Sequence, residues 1–261
     1  MIPDQAPRKP GPRPQHGPEH APEHVPERAP GHIGIVGCSA EGAALCYRTL
    51  CTEGGALLGG DHRHPEVSMH TPSLHRYVDC LDAGDLQGVA DLMLDSADRL
   101  ARSGADFLIC PDNTIHQAFH LVQPRSPLPW LHIVDVVAEE AVRRGLRKIG
   151  ILGTFWLTQS ALYPERLRQH GLDFARPSHD QQVAVGRLIM DELVPGVRTS
   201  AQVDYLASVI AGMKQNGCDA VALACTELPL VMNDANSPLP TLDSTRLLAR
   251  AALRRAAGVG T

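Results

Sequence analysis

The sequence has few aromatic side chains and no excess of positive charge. Its 261 residues include only four Phe and two Trp, and the formal net charge is −5. Proteins that bind single-stranded nucleic acids combine a cationic groove with stacking aromatic side chains, and no run of Lys and Arg is present to form one. We therefore expect no nucleic-acid partner.

Lysine is also scarce, which bears on pyridoxal phosphate. Lys9, Lys148 and Lys214 are the only lysines, and a pyridoxal enzyme needs a lysine for its Schiff base. None of them follows a predicted strand, where such a group would act. A pyridoxal phosphate enzyme is therefore disfavoured.

Other cofactor motifs are missing as well. Gly34-x-x-Gly37 with Gly42 is not the Gly-x-Gly-x-x-Gly fingerprint of dinucleotide-binding proteins. The histidines at 62, 64, 70 and 75 match no standard metal-ligand spacing and are interpreted as surface and loop residues. We expect neither a cofactor nor a metal.

The cysteines and the apolar runs indicate the cellular environment. The seven Cys are odd in number and lack paired spacing, as in a cytoplasmic protein with reduced thiols. No apolar run approaches the length of a membrane span. The sequence predicts a soluble cytoplasmic protein without a membrane partner.

The N-terminal segment, residues 1–32, differs from the rest of the chain. It holds nine of the 21 prolines and has almost no large apolar residues to bury. Such a composition predicts a disordered tail with polyproline character. We interpret its four histidines, the last of them His32, as part of a solvated linker.

From Ile33 onward, short apolar runs alternate with helix-length amphipathic segments, a pattern typical of α/β proteins with parallel sheets. Strands are predicted at 33–37, 66–70, 106–110, 130–134, 148–152, 172–175, 219–224 and near 241. Helices are predicted at 40–51, 86–103, 135–144, 158–170, 181–193, 200–216 and 245–257.

The chain contains an internal repeat. Residues 104–114 and 217–227 each read Gly-x-Asp, an apolar strand and a small polar cluster. Residues 33–37 and 149–153 repeat at almost the same offset, so the chain is predicted to have two related halves. In this overlay Asp112 falls on Cys225, and two facing halves can each present one reactive group.

Both polar clusters are predicted just past the carboxyl ends of strands, where α/β proteins place their chemistry. Asn113 and Thr226 are predicted to begin helices whose free N–H groups would attract a carboxylate. Alone, Asp112 would be interpreted as a helix cap and Cys225 as a small buried residue. Their equivalent positions in two half-copies favour a functional role. The remaining cysteines are assigned to packing: Cys38, Cys46, Cys51, Cys80, Cys110 and Cys218.

These residues resemble a known family. Residues 110–116, Cys-Pro-Asp-Asn-Thr-Ile-His, resemble the Pro-Cys-Asn-Thr-x-His motif of the cofactor-independent aspartate/glutamate racemases, and Ala224-Cys225-Thr226-Glu227 resembles their Gly-Cys-Thr-Glu. Further similar stretches lie at 151–154, 158–163 and 239–246. The resemblance implies two pseudo-symmetric, doubly wound α/β domains, an interdomain active site, and two thiols that remove and return the α-proton of an amino acid. By the same analogy a homodimer is expected.

The resemblance also sets the expected domains. We expect the tail at 1–32, the first domain at 33–134 and the second at 135–242. The C-terminal helix, within 243–261, is expected to pack back on the first domain.

The sequence departs from the family where the chemistry occurs. Asp112 stands in place of the first catalytic Cys, and with a reference pKa of about 3.9 against about 8.5 for Cys it is a weaker base unless burial raises its pKa. Cys225 would need activation as a thiolate. Asn113, Thr114 and Thr226 suit the substrate α-carboxylate and the charge that develops on proton removal.

The expected substrate contacts are less well defined. Glu227 suits an ammonium group or a side chain of the substrate. Arg76 is the candidate cation for a distal carboxylate, but Pro164-Glu165 supplies no second cation. An acidic substrate is therefore not assured by the sequence, and a hydroxylated, neutral or basic amino acid stays open.

Three functions stay open at this point. The first is a racemase or epimerase in which Asp112 and Cys225 act as opposed acid/base groups. The second is a decarboxylase or cis–trans isomerase of the same superfamily that uses Cys225 alone. The third is a degenerate protein that binds an amino acid without turning it over.

Overall fold

The computed structural model describes residues 30–259. Most of the expected tail, residues 1–29, lies outside this range. The end of that segment belongs to the folded protein: His32 is only 8% exposed, and its backbone N–H donates to the Asp106 carboxylate at 2.7 Å. The Gly31 N–H also donates to the carbonyl oxygen of Ala256. The folded part of the chain thus begins before Ile33. The prediction that His32 belongs to the tail was wrong, because the sequence near His32 has no apolar run to indicate burial.

The first half forms a four-stranded parallel sheet in the order β2-β1-β3-β4. Its strands are two to four residues long. They are β1 (Ile33–Val36), β2 (Val67–His70), β3 (Phe107–Ile109) and β4 (Trp130–Leu131).

The second half repeats this arrangement with the order β6-β5-β7-β8, again all parallel. Its strands are β5 (Lys148–Leu152), β6 (Asp173–Ala175), β7 (Ala220–Leu223) and β8 (Thr241–Asp243). The two α/β sheets confirm the predicted fold class, and strands occur at all eight predicted places.

Helices connect the strands and cover the sheets. They are α1 (Ala40–Leu58), α2 (Leu74–Asp82), α3 (Leu86–Arg102), α4 (Phe119–Val122), α5 (Ile133–Arg143), α6 (Phe155–Gln159), α7 (Leu162–Gln169), α8 (His179–Arg187), α9 (Ser200–Gln215) and α10 (Ser244–Ala256). A π-helical segment, Leu188–Leu193, follows α8 directly.

Two features of the helices differ from the prediction. Helix α2 was not predicted. The predicted helix 158–170 is instead two helices, α6 and α7, separated at Ser160 and Ala161. Pro164 explains the break, because in a continuous helix its ring would clash with the carbonyl of Ser160 and leave that oxygen without its N–H donor. The Ser160 carbonyl accepts a hydrogen bond from Arg176 instead.

The segments after β3 and β7 also differ from the prediction. Asn113 and Thr226 do not begin long helices. They precede short 3-10 turns at Ile115–Ala118 and Leu228–Leu230, of which the second contains Pro229. The helices that the sequence predicted to begin at Asn113 and Thr226 are therefore replaced by these short turns.

The halves share one apolar core. It runs from Ile33 and Ile35 of β1 to Ile149 and Ile151 of β5, with smaller clusters on the outer side of each sheet. Helix α10 packs against α1 and α5 and so covers this shared region. Within residues 30–259, no helix is long and apolar enough to cross a membrane.

Candidate functional site

A small cavity of about 40 Å³ lies where the carboxyl ends of both sheets meet. Its polar lining comes from both halves, and it lies at the switch point of each sheet, where the strand order reverses. The first half supplies Ser39, Asp112, Asn113 and Thr114, and the second supplies Thr154, Cys225 and Glu227. The fold therefore brings Asp112 and Cys225 to one cavity.

Asp112 is held in place by its own loop. One carboxylate oxygen accepts the backbone N–H of Ile115 at 3.1 Å, and the Asp112 carbonyl accepts a 2.6 Å bond from Nδ1 of His116. Burial raises the pKa of the Asp112 carboxyl to about 6, with the negative charge of Glu227 adding to the effect and the Ile115 bond opposing it. A carboxylate with this pKa is a stronger base than an ordinary aspartate.

Cys225 lies beside a carboxylate. Its Sγ donates to Oε2 of Glu227 at 3.0 Å, and the Thr226 hydroxyl donates to the same oxygen at 2.6 Å. Burial, followed by the Glu227 charge, raises the pKa of the Cys225 thiol well above its ordinary value. Cys225 is therefore a protonated thiol in the resting site, where it can donate a proton.

Two hydroxyl pairs join the halves around the cavity. Ser39, at the N-terminus of α1, bonds to Thr226 at 2.9 Å, and Thr114 bonds to Thr154 at the N-terminus of α6, also at 2.9 Å. Each pair links a loop after a central strand of one half to a loop after a central strand of the other. They fix the spacing between the Asp112 and Cys225 loops.

The close approach of Thr226 depends on Gly42. A β-carbon at position 42 would lie 2.2 Å from Thr226 Cγ2 and 3.1 Å from the Pro111 carbonyl. Both neighbours belong to the buried loops that carry the site. A side chain at position 42 would therefore displace Thr226.

The predicted carboxylate-binding residues have different surroundings. Thr114 lines the cavity, whereas Thr226 is 2% exposed and is not among the lining residues. The Asn113 side chain accepts from Tyr163 at 2.8 Å and donates to Ser244 at 2.9 Å. Asn113 thus ties the first loop to α7 and α10.

Arg76 and Glu165 lie away from the cavity. Arg76 is exposed on α2, and its charge acts on Asp95 instead; the residues of α2 that line the cavity are Leu74 and Val78. The prediction for Arg76 did not include helix α2, on which this residue is exposed. Glu165 is exposed beside a separate cleft next to Arg166.

Several residues near the chemistry were not predicted. Ser39 and Trp156 line the cavity without having been singled out, and Thr154 was noted only for its resemblance. The N-capping positions of Ser39 and Thr154, directly after strands, were the available signal. Cys38, assigned to packing, is buried as expected, but its thiol is also near enough to Asp112 to lower the pKa of that carboxyl.

Potential metal ligands and lysines are arranged as follows in the described residues. No group of three or more His, Cys, Asp and Glu side chains within residues 30–259 has metal-binding geometry. Lys148 begins β5 and donates to the Asn216 carbonyl, and Lys214 donates to the Pro238 carbonyl. Neither of these two lysines lines the cavity.

Larger clefts occur elsewhere on the surface. One of about 920 Å³ runs past Trp130 and Arg255, and one of about 350 Å³ lies beside His116 and Arg166. Neither contains Asp112 or Cys225. Volume alone therefore does not mark the reactive site in this protein.

Known proteins share both sequence and fold with the chain. The sequence model of the Asp/Glu/Hydantoin racemase family matches residues 33–252. The broad specificity amino-acid racemase RacX of Bacillus subtilis (strain 168) is 31% identical over 158 residues, which is 60% of this chain and 68% of RacX.

Solved structures agree with this match. A protein from Yersinia pestis, assigned to the Asp/Glu racemases, superposes with a TM-score of 0.78 and 29% identity over 87% of this chain and 99% of its own. An aspartate racemase homologue from Pyrococcus horikoshii OT3 gives 0.73 and 26% identity over 86% and 98% of the two chains. The chain belongs to the Asp/Glu/Hydantoin racemase family.

Proposed function

We propose that the protein is an amino-acid racemase or epimerase that works without pyridoxal phosphate, with Asp112 and Cys225 as opposed acid/base groups. One observation carries this proposal: the two halves bring Asp112 and Cys225 to a single cavity, where burial raises the pKa of both groups. Asp112, with a pKa of about 6, is a carboxylate at neutral pH, and Cys225 is a thiol. A one-base, one-acid pair suits removal of an α-proton from one face and its return to the other.

The proton balance follows from these states. The Asp112 carboxylate takes the α-proton, the Cα–H electron pair passes into the substrate carboxylate as an enolate, and the Cys225 S–H protonates the opposite face. The product leaves a neutral Asp112 and a Cys225 thiolate. The reverse reaction starts from that second state, so the enzyme must exchange protons with solvent between turnovers in one direction.

Glu227 has a defined part in this cycle. It accepts a hydrogen bond from the Cys225 S–H at 3.0 Å in the resting site. Its negative charge destabilises the thiolate, and therefore keeps Cys225 protonated until the substrate binds. We propose Glu227 as the residue that keeps Cys225 in the acid form.

The substrate α-carboxylate needs hydrogen-bond donors. We propose that backbone N–H groups of the loop at Asn113 and Thr114 and the hydroxyls of Thr114 and Thr154 supply them, since these three residues line the cavity. These donors would also stabilise the negative charge that develops on the carboxylate as the proton leaves. We also propose a cytoplasmic location, from the cysteine pattern, and a homodimer, from the family resemblance; light scattering in solution tests the dimer.

The test is deuterium incorporation by two single variants, Asp112→Asn and Cys225→Ser. Because each variant keeps one group, both should lose racemisation. Each should retain slow α-proton exchange from only one enantiomer, and the retained enantiomer should be opposite in the two variants. NMR of the α-proton in D₂O and chiral chromatography measure the two quantities separately.

The control is Cys218→Ser, which changes a buried cysteine in the second half outside the cavity. It should racemise as the unsubstituted protein does. Racemisation by Asp112→Asn at the unsubstituted rate would overturn the assignment of Asp112. Exchange of 5-substituted hydantoins in place of amino acids, or decarboxylation without racemisation, would overturn the proposed reaction.

A further inference from the structure

The cavity has a second wall that the acid/base chemistry does not use. Besides the polar residues, six apolar side chains line it: Leu74 and Val78 of α2, Trp156 of α6, and Ile189, Met190 and Val194 in and after the π-helical segment. Three separate elements thus supply an apolar wall. The polar lining comes from the loops at the strand ends, and the apolar lining comes from these other elements.

This division matches the two ends of an amino acid. The reacting α-carbon and its carboxylate must lie near Asp112 and Cys225, so the substrate side chain extends toward the apolar wall. Among the described residues no Lys, Arg or His lines the cavity. A distal carboxylate would there be buried without a cation, in a site that already holds the carboxylates of Asp112 and Glu227.

A distal cation is no better placed. The carboxylates of Asp112 and Glu227 lie at the reacting end, and the side chains of the apolar wall carry no charge. A terminal ammonium or guanidinium directed at this wall would lose its hydration without an ionic partner. Both acidic and basic side chains are therefore disfavoured by the same surface.

We propose, building on the proposed racemase function, that the substrates are amino acids with uncharged, apolar side chains, and that Met190 and Trp156 determine which of them fit. Met190 has an unbranched, adaptable side chain and sits half-buried in the π-helical segment. Short π-helical insertions are frequent at functional sites. Because the cavity has a volume of only about 40 Å³, the wall must move when a whole amino acid enters.

The experiment compares substrates of similar shape and different charge. The unsubstituted protein is incubated in D₂O with leucine and aspartate, with methionine and glutamate, and with lysine, and kcat/KM for α-proton exchange is measured. The kcat/KM values of leucine and methionine should exceed those of their acidic counterparts by about 100-fold or more. Burying an ion without a partner lowers the binding constant by about 100-fold or more. Faster exchange of aspartate, glutamate or lysine would overturn the substrate class and leave the racemase function standing.

A charge introduced into the wall tests the residue assignment. Met190→Lys should lower kcat/KM for leucine and raise it for aspartate, so that the ratio of the two falls by at least about 10-fold. The matched control is Val197→Lys, which adds the same charge nearby at a residue that is 49% exposed and does not line the cavity. It should leave the ratio unchanged. An equal change of ratio in both variants, or none in Met190→Lys while it remains folded by circular dichroism, would overturn the role of Met190.

Binding separates failure of this inference from failure of the reaction. Trp156 lines the cavity, so its fluorescence reports occupancy, and Trp156→Phe provides the blank for the signal of Trp130. If no amino acid exchanges but leucine binds more tightly than aspartate, the racemase proposal fails and the preference of the wall stands. If aspartate binds at least as tightly as leucine, the preference fails.

Discussion

The contact between Gly42 and Thr226 gives the sharpest test of the packing around the site. In Gly42→Ala the added methyl group would lie 2.2 Å from Thr226 Cγ2 and 2.6 Å from its Cβ. Thr226 cannot move away easily, since it is 2% exposed and bonded to both Ser39 and Glu227. Overpacking of this kind costs about 1–3 kcal/mol.

A second glycine supplies the control. Gly212 lies inside α9, and a β-carbon there meets nothing within 4 Å. Gly212→Ala should stabilise the protein by about 0.5–1 kcal/mol through helix propensity. Both variants make the same chemical change within a helix. The gain in helix propensity therefore largely cancels when their unfolding free energies are compared, and the remaining difference is the steric cost at position 42.

The assay is thermal unfolding followed by circular dichroism. About 1–3 kcal/mol corresponds to a Tm for Gly42→Ala roughly 2–12 °C below that of Gly212→Ala in a protein of this size class. Racemase activity should fall as well, because Thr226 and Cys225 donate hydrogen bonds to the same carboxylate oxygen of Glu227. Adding Thr226→Ser removes the nearest methyl group and should recover part of the loss.

Equal Tm values for Gly42→Ala and Gly212→Ala would refute the reasoning. So would a Gly42→Ala/Thr226→Ser double variant whose losses simply add, because the two residues would then not be in contact.

Two further predictions concern the charged groups of the cavity. The raised pKa of Asp112, about 6, means that the folded state holds its proton more tightly than the unfolded chain, so this carboxyl lowers stability as pH rises from about 4 through about 6. Asp112→Asn should therefore be more stable than the unsubstituted protein at pH 8, by about 1–3 kcal/mol, and the gain should shrink at pH 4; an equal gain at both pH values in denaturation experiments would count against a buried, ionised Asp112. Glu227→Gln removes a charge that, together with burial, raises the pKa of the Cys225 thiol, so a small alkylating reagent should modify Cys225 at a lower pH. Mass spectrometry follows the modification. If the pH of modification were unchanged or higher, the proposed effect of Glu227 on Cys225 would be contradicted.

The sequence was sufficient for the fold because its signals are local. All eight strands follow from apolar runs bounded by turn residues, and the internal repeat anticipates two sheets with the same strand order. Helix α2 was missed although Leu74, Tyr77, Val78 and Leu81 have helical spacing. That segment is short and carries several polar residues, a composition that is also typical of a loop between two elements.

The candidate site was only partly accessible to the same reasoning. The overlay of the halves places Asp112 and Cys225 at equivalent strand ends, and both line the cavity. The apolar wall could not be predicted, because Val78, Trp156 and Met190 come from elements far apart in sequence. Only the packing of α2, α6 and the π-helical segment onto the strand ends brings them together.

Exchange of the α-proton in D₂O, measured for both enantiomers of leucine with the unsubstituted protein, tests the central claim most directly. We predict loss of the α-proton signal from either enantiomer together with the appearance of the opposite one. Loss of the signal with full retention of configuration would contradict two opposed groups. Absence of any loss from leucine and from every other amino acid would contradict racemisation.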